Sequence, residues 1–139
     1  MNKQYFDNYF RGYNNKYRDR LIREEDKNFY CTNIVSIVKL YTNYEIDYED
    51  GTNILKSYMD MFDNEYTYYG YIDDSGHIFD RQGIPNLDFA VDLRKLSKLV
   101  LLLYSKEDPI VVKRKDRDQY AIKVESDIGY GYVLPIRNY

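Results

Sequence analysis

The chain has 139 residues, 44% of them hydrophobic and 31% charged, with a net charge of −3. Such values describe a folded globular protein and exclude a disordered or low-complexity one. They also speak against a general nucleic-acid binder, whose affinity comes from phosphate contacts, so no tight binding to duplex DNA is expected.

Residues 3–27 read as an amphipathic helix. Phe6, Phe10, Tyr13, Tyr17 and Leu21 recur at helical steps, and Lys16, Arg20, Arg23 and Lys27 follow on a neighbouring stripe. Thr32 or Asn33 is the expected cap of a second helix that buries Ile34, Ile37, Val38 and Tyr41. Asp50-Gly51 makes a turn, and Thr52 caps a third helix with Ile54, Leu55, Tyr58, Met59 and Phe62 on its apolar face.

From Tyr66 the period changes to two. Residues 66–73 and 77–81 are expected to form a hairpin around Asp74-Ser75-Gly76. The strongest helical pattern starts near Asn86 or Asp88 and runs to about Tyr104, with Phe89, Leu93, Leu96, Val100 and Leu103 on one stripe. A second hairpin, residues 110–115 and 119–125, precedes a last strand that alternates through Tyr130, Tyr132, Leu134 and Ile136. Gly129 and Gly131 share one face of that strand, which marks close approach of a neighbouring element. The expected fold is a single α+β domain over residues 1–139. Its antiparallel sheet, two hairpins plus a C-terminal strand, packs against three to four helices.

The longest apolar run, residues 99–104, is far below the roughly 20 residues that cross a bilayer. A lone cysteine, Cys31, and an N-terminus without a secretory pattern point to the cytoplasm. The chain holds 18 tyrosines, 12 isoleucines, 11 asparagines and 11 lysines but only two alanines. This is the codon bias of an AT-rich genome, such as that of a low-GC bacterium or its phage.

Inventory removes most catalytic devices. There is no G-x-x-x-x-G-K-[ST], no G-x-S-x-G and no G-x-G-x-x-G. One histidine and one cysteine cannot build a zinc site of several such ligands within one chain. Calcium loops centred on Gly51 or Gly76 would start at Ile46 or Tyr71, without the required carboxylates. His77 reads as an exposed turn histidine and Cys31 as a buried, inert thiol. No catalytic residue, metal or cofactor is therefore expected.

Charge supplies the functional candidates. Residues 41–76 carry nine acidic side chains against Lys56 alone. Glu45, Asp47, Glu49, Asp50, Asp60, Asp63, Glu65, Tyr66, Asp73 and Asp74 are the expected contact surface for a basic protein partner. The plainer reading of such a run is a solvated face. The expected function is a non-catalytic binding protein, a phage or mobile-element accessory that inhibits a host defence protein through this surface. One alternative is a small anionic ligand such as a nucleotide, held by Lys16, Arg20 and Arg23 with Tyr13 stacking on a base. The other is a carboxylate-dependent hydrolase or nuclease.

Overall fold

The period-two stretches join edge to edge into one wide sheet. A computed structural model describes residues 3–10, 21–24, 28–32, 36–42, 48–50, 66–73, 77–85, 93–104, 110–114 and 121–133. Its strands are β1 (Leu21–Glu24), β2 (Phe29–Thr32), β3 (Ser36–Leu40), β4 (Glu49–Asp50), β5 (Thr67–Ile72), β6 (Ile78–Asp80), β7 (Ile110–Arg114), β8 (Ile122–Glu125) and β9 (Gly129–Val133). Across the sheet they run β4-β1-β2-β3-β9-β8-β7-β5-β6. Eight pair antiparallel, and the two-residue β4 joins β1 in parallel at one edge. Two helices lie among the described residues, α1 (Lys3–Phe10) and α2 (Leu93–Leu103).

The expectation of three to four helices packed on a smaller sheet is thereby corrected: the sheet dominates. Residues 21–24, placed in the first helix by their spacing, form β1. Residues 32–41, read as the second helix, contain the end of β2 and all of β3. The reason is burial on both sides. Leu21 and Ile22, Tyr30 and Cys31, and Ile37 and Val38 are adjacent in sequence yet all buried. Strands buried on both faces lose the polar alternation that identifies a strand, and their runs mimic a helical stripe. The third expected helix, over residues 52–62, lies outside the described residues. So do residues 86–92, 116–118 and 134–136.

Downstream of Tyr66 the pattern reads true. β5 and β6 form a hairpin, β7 and β8 form another, and β9 follows as a single strand. Strands β5, β7 and β8 bury one row each, Ile72, Ile110, Val112, Ile122 and Val124, which is what alternation encodes, while β9 buries Val133 on that side and Tyr132 on the other. Helix α2 lies over β8 and β9 and touches α1. Its Leu96, Leu99, Leu102 and Leu103 are buried, and Val100 is partly so. Full burial of one such side chain contributes about 1.5–3 kcal/mol. Helix α1 adds Phe6, Tyr9 and Phe10 to the same core, with Phe6 set edge-on against Tyr30 of β2 at 5.1 Å between centroids.

Gly131 shows how closely α2 sits. A β-carbon there would stand 2.7 Å from Leu99 Cδ1, so the glycine lets the helix settle onto β9. On the far side of the sheet a second apolar cluster gathers Ile22, Phe29, Cys31 and Ile37, with Tyr130 against it. That side then turns polar towards β8 and β7. No helix among the described residues is long and apolar enough to cross a membrane.

Candidate functional site

The chain leaves its regular ladder where β5 meets β6 and β7. Tyr68 pairs with Lys113 and Gly70 with Val112, so Tyr69 is an extra residue, a β-bulge. A bulge twists its strand and re-aims the side chains around it. Gly70 follows because a β-carbon there would overlap the backbone carbonyl of Phe79 on β6.

The turn after β6 is equally specified. Asp80 Oδ1 accepts the backbone N–H groups of Gln82 at 2.9 Å and Ile84 at 3.0 Å. The backbone N–H of Gly83 donates to the carbonyl of Asp80, and Gly83 holds a φ of 77°, a left-handed value that suits glycine. The N–H of Asp80 donates in turn to the carbonyl of Ile84, and Phe79 bridges to Pro85. The outer edge of β6 is thus covered by its own chain, which guards it against pairing with another protein.

These features enclose an open cleft of about 430 Å³ lined by Thr67, Tyr68, Tyr69, Asp80, Arg81, Gln82 and Arg114. Two arginines converge on it from separate parts of the chain. Arg81 donates from Nε and from one Nη to the carbonyl of Tyr68, at 2.9 and 2.6 Å, and its Cζ lies 5.7 Å from the Tyr68 ring centre. Arg114, at the end of β7, lies 5.3 Å from the centre of the Tyr69 ring. Both guanidinium groups are therefore held by rings or backbone before any ligand arrives. Among the described residues the lining sets two guanidinium groups against one carboxylate, Asp80, whose Oδ1 is taken up by the turn.

The cleft's chemistry is that of recognition. Guanidinium groups grip phosphate or carboxylate, and tyrosine rings stack on planar bases. Its lining, among the described residues, has no histidine, cysteine or serine. Among the described residues no group of three or more His, Cys, Asp or Glu side chains is placed to hold a metal ion.

Of the residues singled out by charge, those that are described are spread across the sheet. Glu45, Asp47, Asp60, Asp63, Glu65 and Asp74 lie outside the described residues. Glu49 and Asp50 form β4, and Asp73 follows β5. These two places are seven strand positions apart, about 33 Å along the sheet at the usual spacing. Tyr66 donates its hydroxyl to the carbonyl of Ala121 at 2.9 Å.

Of the anion-binding set, Lys16, Arg20 and Tyr13 lie outside the described residues. Arg23 belongs to β1, where one Nη donates to the Tyr48 hydroxyl at 3.3 Å and the other to Asn28 Oδ1 at 3.4 Å. Its Cζ sits 5.0 Å from the Tyr48 ring centre, so it ties β1 to the chain entering β4.

His77 is exposed, and its N–H donates to Asp73 Oδ1 at 2.9 Å to close the β5–β6 hairpin. Cys31 is 1% exposed, and burial pushes its thiol up to about 11 from 9.0. The two sit near opposite ends of the sheet, on β2 and beside β6, so no Cys–His pair forms.

Sequence reasoning missed Arg81 and Arg114. One local signal for Arg81 was present, the Asp80-Arg81-Gln82-Gly83 turn directly after a strand. Arg114 had none, because its partner Tyr69 is set by register. No family model, curated protein or solved structure matches this chain.

Proposed function

We propose that this chain is a non-catalytic binding protein whose cleft takes a small ligand with both a phosphate and a planar ring, the class of a nucleotide. One observation carries the reading: two arginine–tyrosine pairs, Arg81 with Tyr68 and Arg114 with Tyr69, line one cleft in which Asp80 is the one carboxylate among the described residues. The reading shares its ligand chemistry with the anionic-ligand alternative drawn from the sequence but rests on different residues. Its cytoplasmic setting and its origin in a phage or mobile element remain part of the proposal, resting on the lone cysteine and the AT-rich composition.

Titration calorimetry with AMP, ATP and inorganic pyrophosphate tests it. Both nucleotides should bind more tightly than pyrophosphate. Arg81→Ala and Arg114→Ala should each weaken nucleotide binding by about tenfold or more, the weight of one charge-assisted contact. Tyr68→Ala should erase the preference for nucleotide over pyrophosphate. Absence of binding at millimolar nucleotide, or wild-type affinity in both arginine variants, overturns the reading.

A second reading, docking of a basic protein, is favoured by the β4 edge, where Tyr48 is 42% exposed and Glu49 lies exposed beside it. Glu49→Lys should then abolish capture of that partner and leave nucleotide affinity unchanged.

A further inference from the structure

The side of the sheet away from the helices holds a second charged assembly, built from other residues than the cleft. Alternation along β3, β7 and β8 puts Lys39, Lys113, Lys123 and Glu125 on that side. Register then brings them together: Lys113 stands directly opposite Lys123, and Tyr130 of β9 stands opposite both Lys39 and Glu125. Like charges facing each other across two strands destabilise a sheet. Burial sharpens the conflict, because the side chains of Lys113, Lys123 and Glu125 are only 32%, 19% and 27% exposed.

One carboxylate serves two of the three ammonium groups. Glu125 Oε2 lies 2.8 Å from Lys113 Nζ and 4.0 Å from Lys123 Nζ. Lys123 Nζ rests 4.1 Å from the Tyr130 ring centre, and Lys39 Nζ rests 5.1 Å from that of Phe29. Among the described residues the assembly thus keeps an excess of two positive charges. Tyr41 adds a phenol beside Tyr130, with ring centres 6.4 Å apart. Burial and the nearby Glu125 charge hold both phenols protonated, as hydrogen-bond donors. Burial and its two lysine neighbours lower the pKa of Lys123, with Glu125 acting against them, a strain that a bound anion would relieve.

A sheet evolved for stability alone would fill these positions with apolar or oppositely charged pairs. Lys113 facing Lys123 breaks that local rule and Glu125 offsets it only in part; such positions are where function is expected. We propose that Lys39, Lys113 and Lys123 form a second anion site, for a compact doubly charged oxyanion whose two charges match the excess. Glu125 orders Lys113 and Lys123 by ion pairing. The cleft is a different set of residues: its Arg114 points to the opposite side of β7 from Lys113, while its Tyr68 stands directly opposite Lys113.

The test uses the full chain and inorganic phosphate in mildly alkaline solution, where it carries two charges. Phosphate should raise the melting temperature above that in sodium chloride of equal ionic strength. It should also shift the side-chain NMR signals of Lys113 and Lys123 and raise the pKa of Lys123. Lys39→Met and Lys123→Met should each weaken phosphate binding about tenfold with the far-UV spectrum unchanged. Arg81→Ala should leave it unaltered. If Lys123→Met fails to fold, Lys39→Met carries the test, because Lys39 lies outside the Lys113–Glu125 ion pair. The proposal is overturned if phosphate does no more than sodium chloride. It is equally overturned if the lysine variants bind like the wild type, or if Arg81→Ala alone removes binding.

Discussion

The two sides of this sheet are built from the same strands yet do different work. Towards the helices, an unbroken apolar cluster runs from Leu21 on β1 to Ile78 on β6, roofed by Phe6, Phe10, Leu99 and Leu102. On the far side the apolar cluster covers only β1 to β3, through Ile22, Phe29, Cys31 and Ile37. Beyond Tyr130 that side carries Lys123, Glu125 and Lys113. Strands β1 to β3 therefore bury two rows each, whereas β7 and β8 bury one and present the other. The lesson is a division of labour. Stability gathered on the helix side lets the far side keep a charge conflict that no core would tolerate.

The sharpest way to break this comparison is to hollow the helix side. Leu99 is fully buried against Gly131, and Leu99→Ala should cost about 2–5 kcal/mol in chemical denaturation. Val111→Ala, at a half-buried far-side position of β7, should cost less than about 1.5 kcal/mol. Equal losses from the two would show that the sides share the load.

Alkali probes the buried far-side cluster. The Cys31 thiol is raised to about 11 from 9.0, so the folded chain keeps its proton after the unfolded chain has lost it. Its stabilising contribution is full below pH 9 and drains away between pH 9 and about 11. The loss amounts to about 2–3 kcal/mol by the upper end, at 1.36 kcal/mol per unit. Tyr130, raised to about 12 from 10.0, continues the decline above pH 10. Urea midpoints measured at successive pH values should fall over this range, and Cys31→Ala should flatten the segment between pH 9 and 10. A thiol reagent that labels the native protein quickly at pH 8 would contradict the burial.

The smallest expected effect carries the most pointed message. Lys123→Met removes a cation facing Lys113 and should leave stability unchanged or raise it by up to about 1 kcal/mol. A loss above that would mean that Lys123 holds the sheet together, and the contrast between the sides would disappear.

Much of the fold was legible where each strand buries a single row. Tyr66 to Arg81, the leucine stripe of α2, and the meander from Ile110 onward announced themselves by clean periods of two or of three and four. The same logic failed over residues 21–40. Leu21 continued the helical spacing of Phe6 and Phe10, and Ile37 with Val38 looked like one face of a helix. Period alone cannot tell a strand apolar on both sides from a buried helix, since the deciding partner lies across the sheet.

The candidate sites were less legible still. The amino acids by themselves determined the excess of tyrosine, the uneven charge, the absence of a catalytic signature and the one-sided strands of the second half. Tertiary structure alone decided which charges meet. Arg81 reaches Tyr68 through a glycine-dependent turn, Arg114 reaches Tyr69 through a bulge, and Lys113 faces Lys123 through register. Each meeting depends on strand pairing between distant segments. A shift of one residue would turn every one of those side chains to the other side of the sheet.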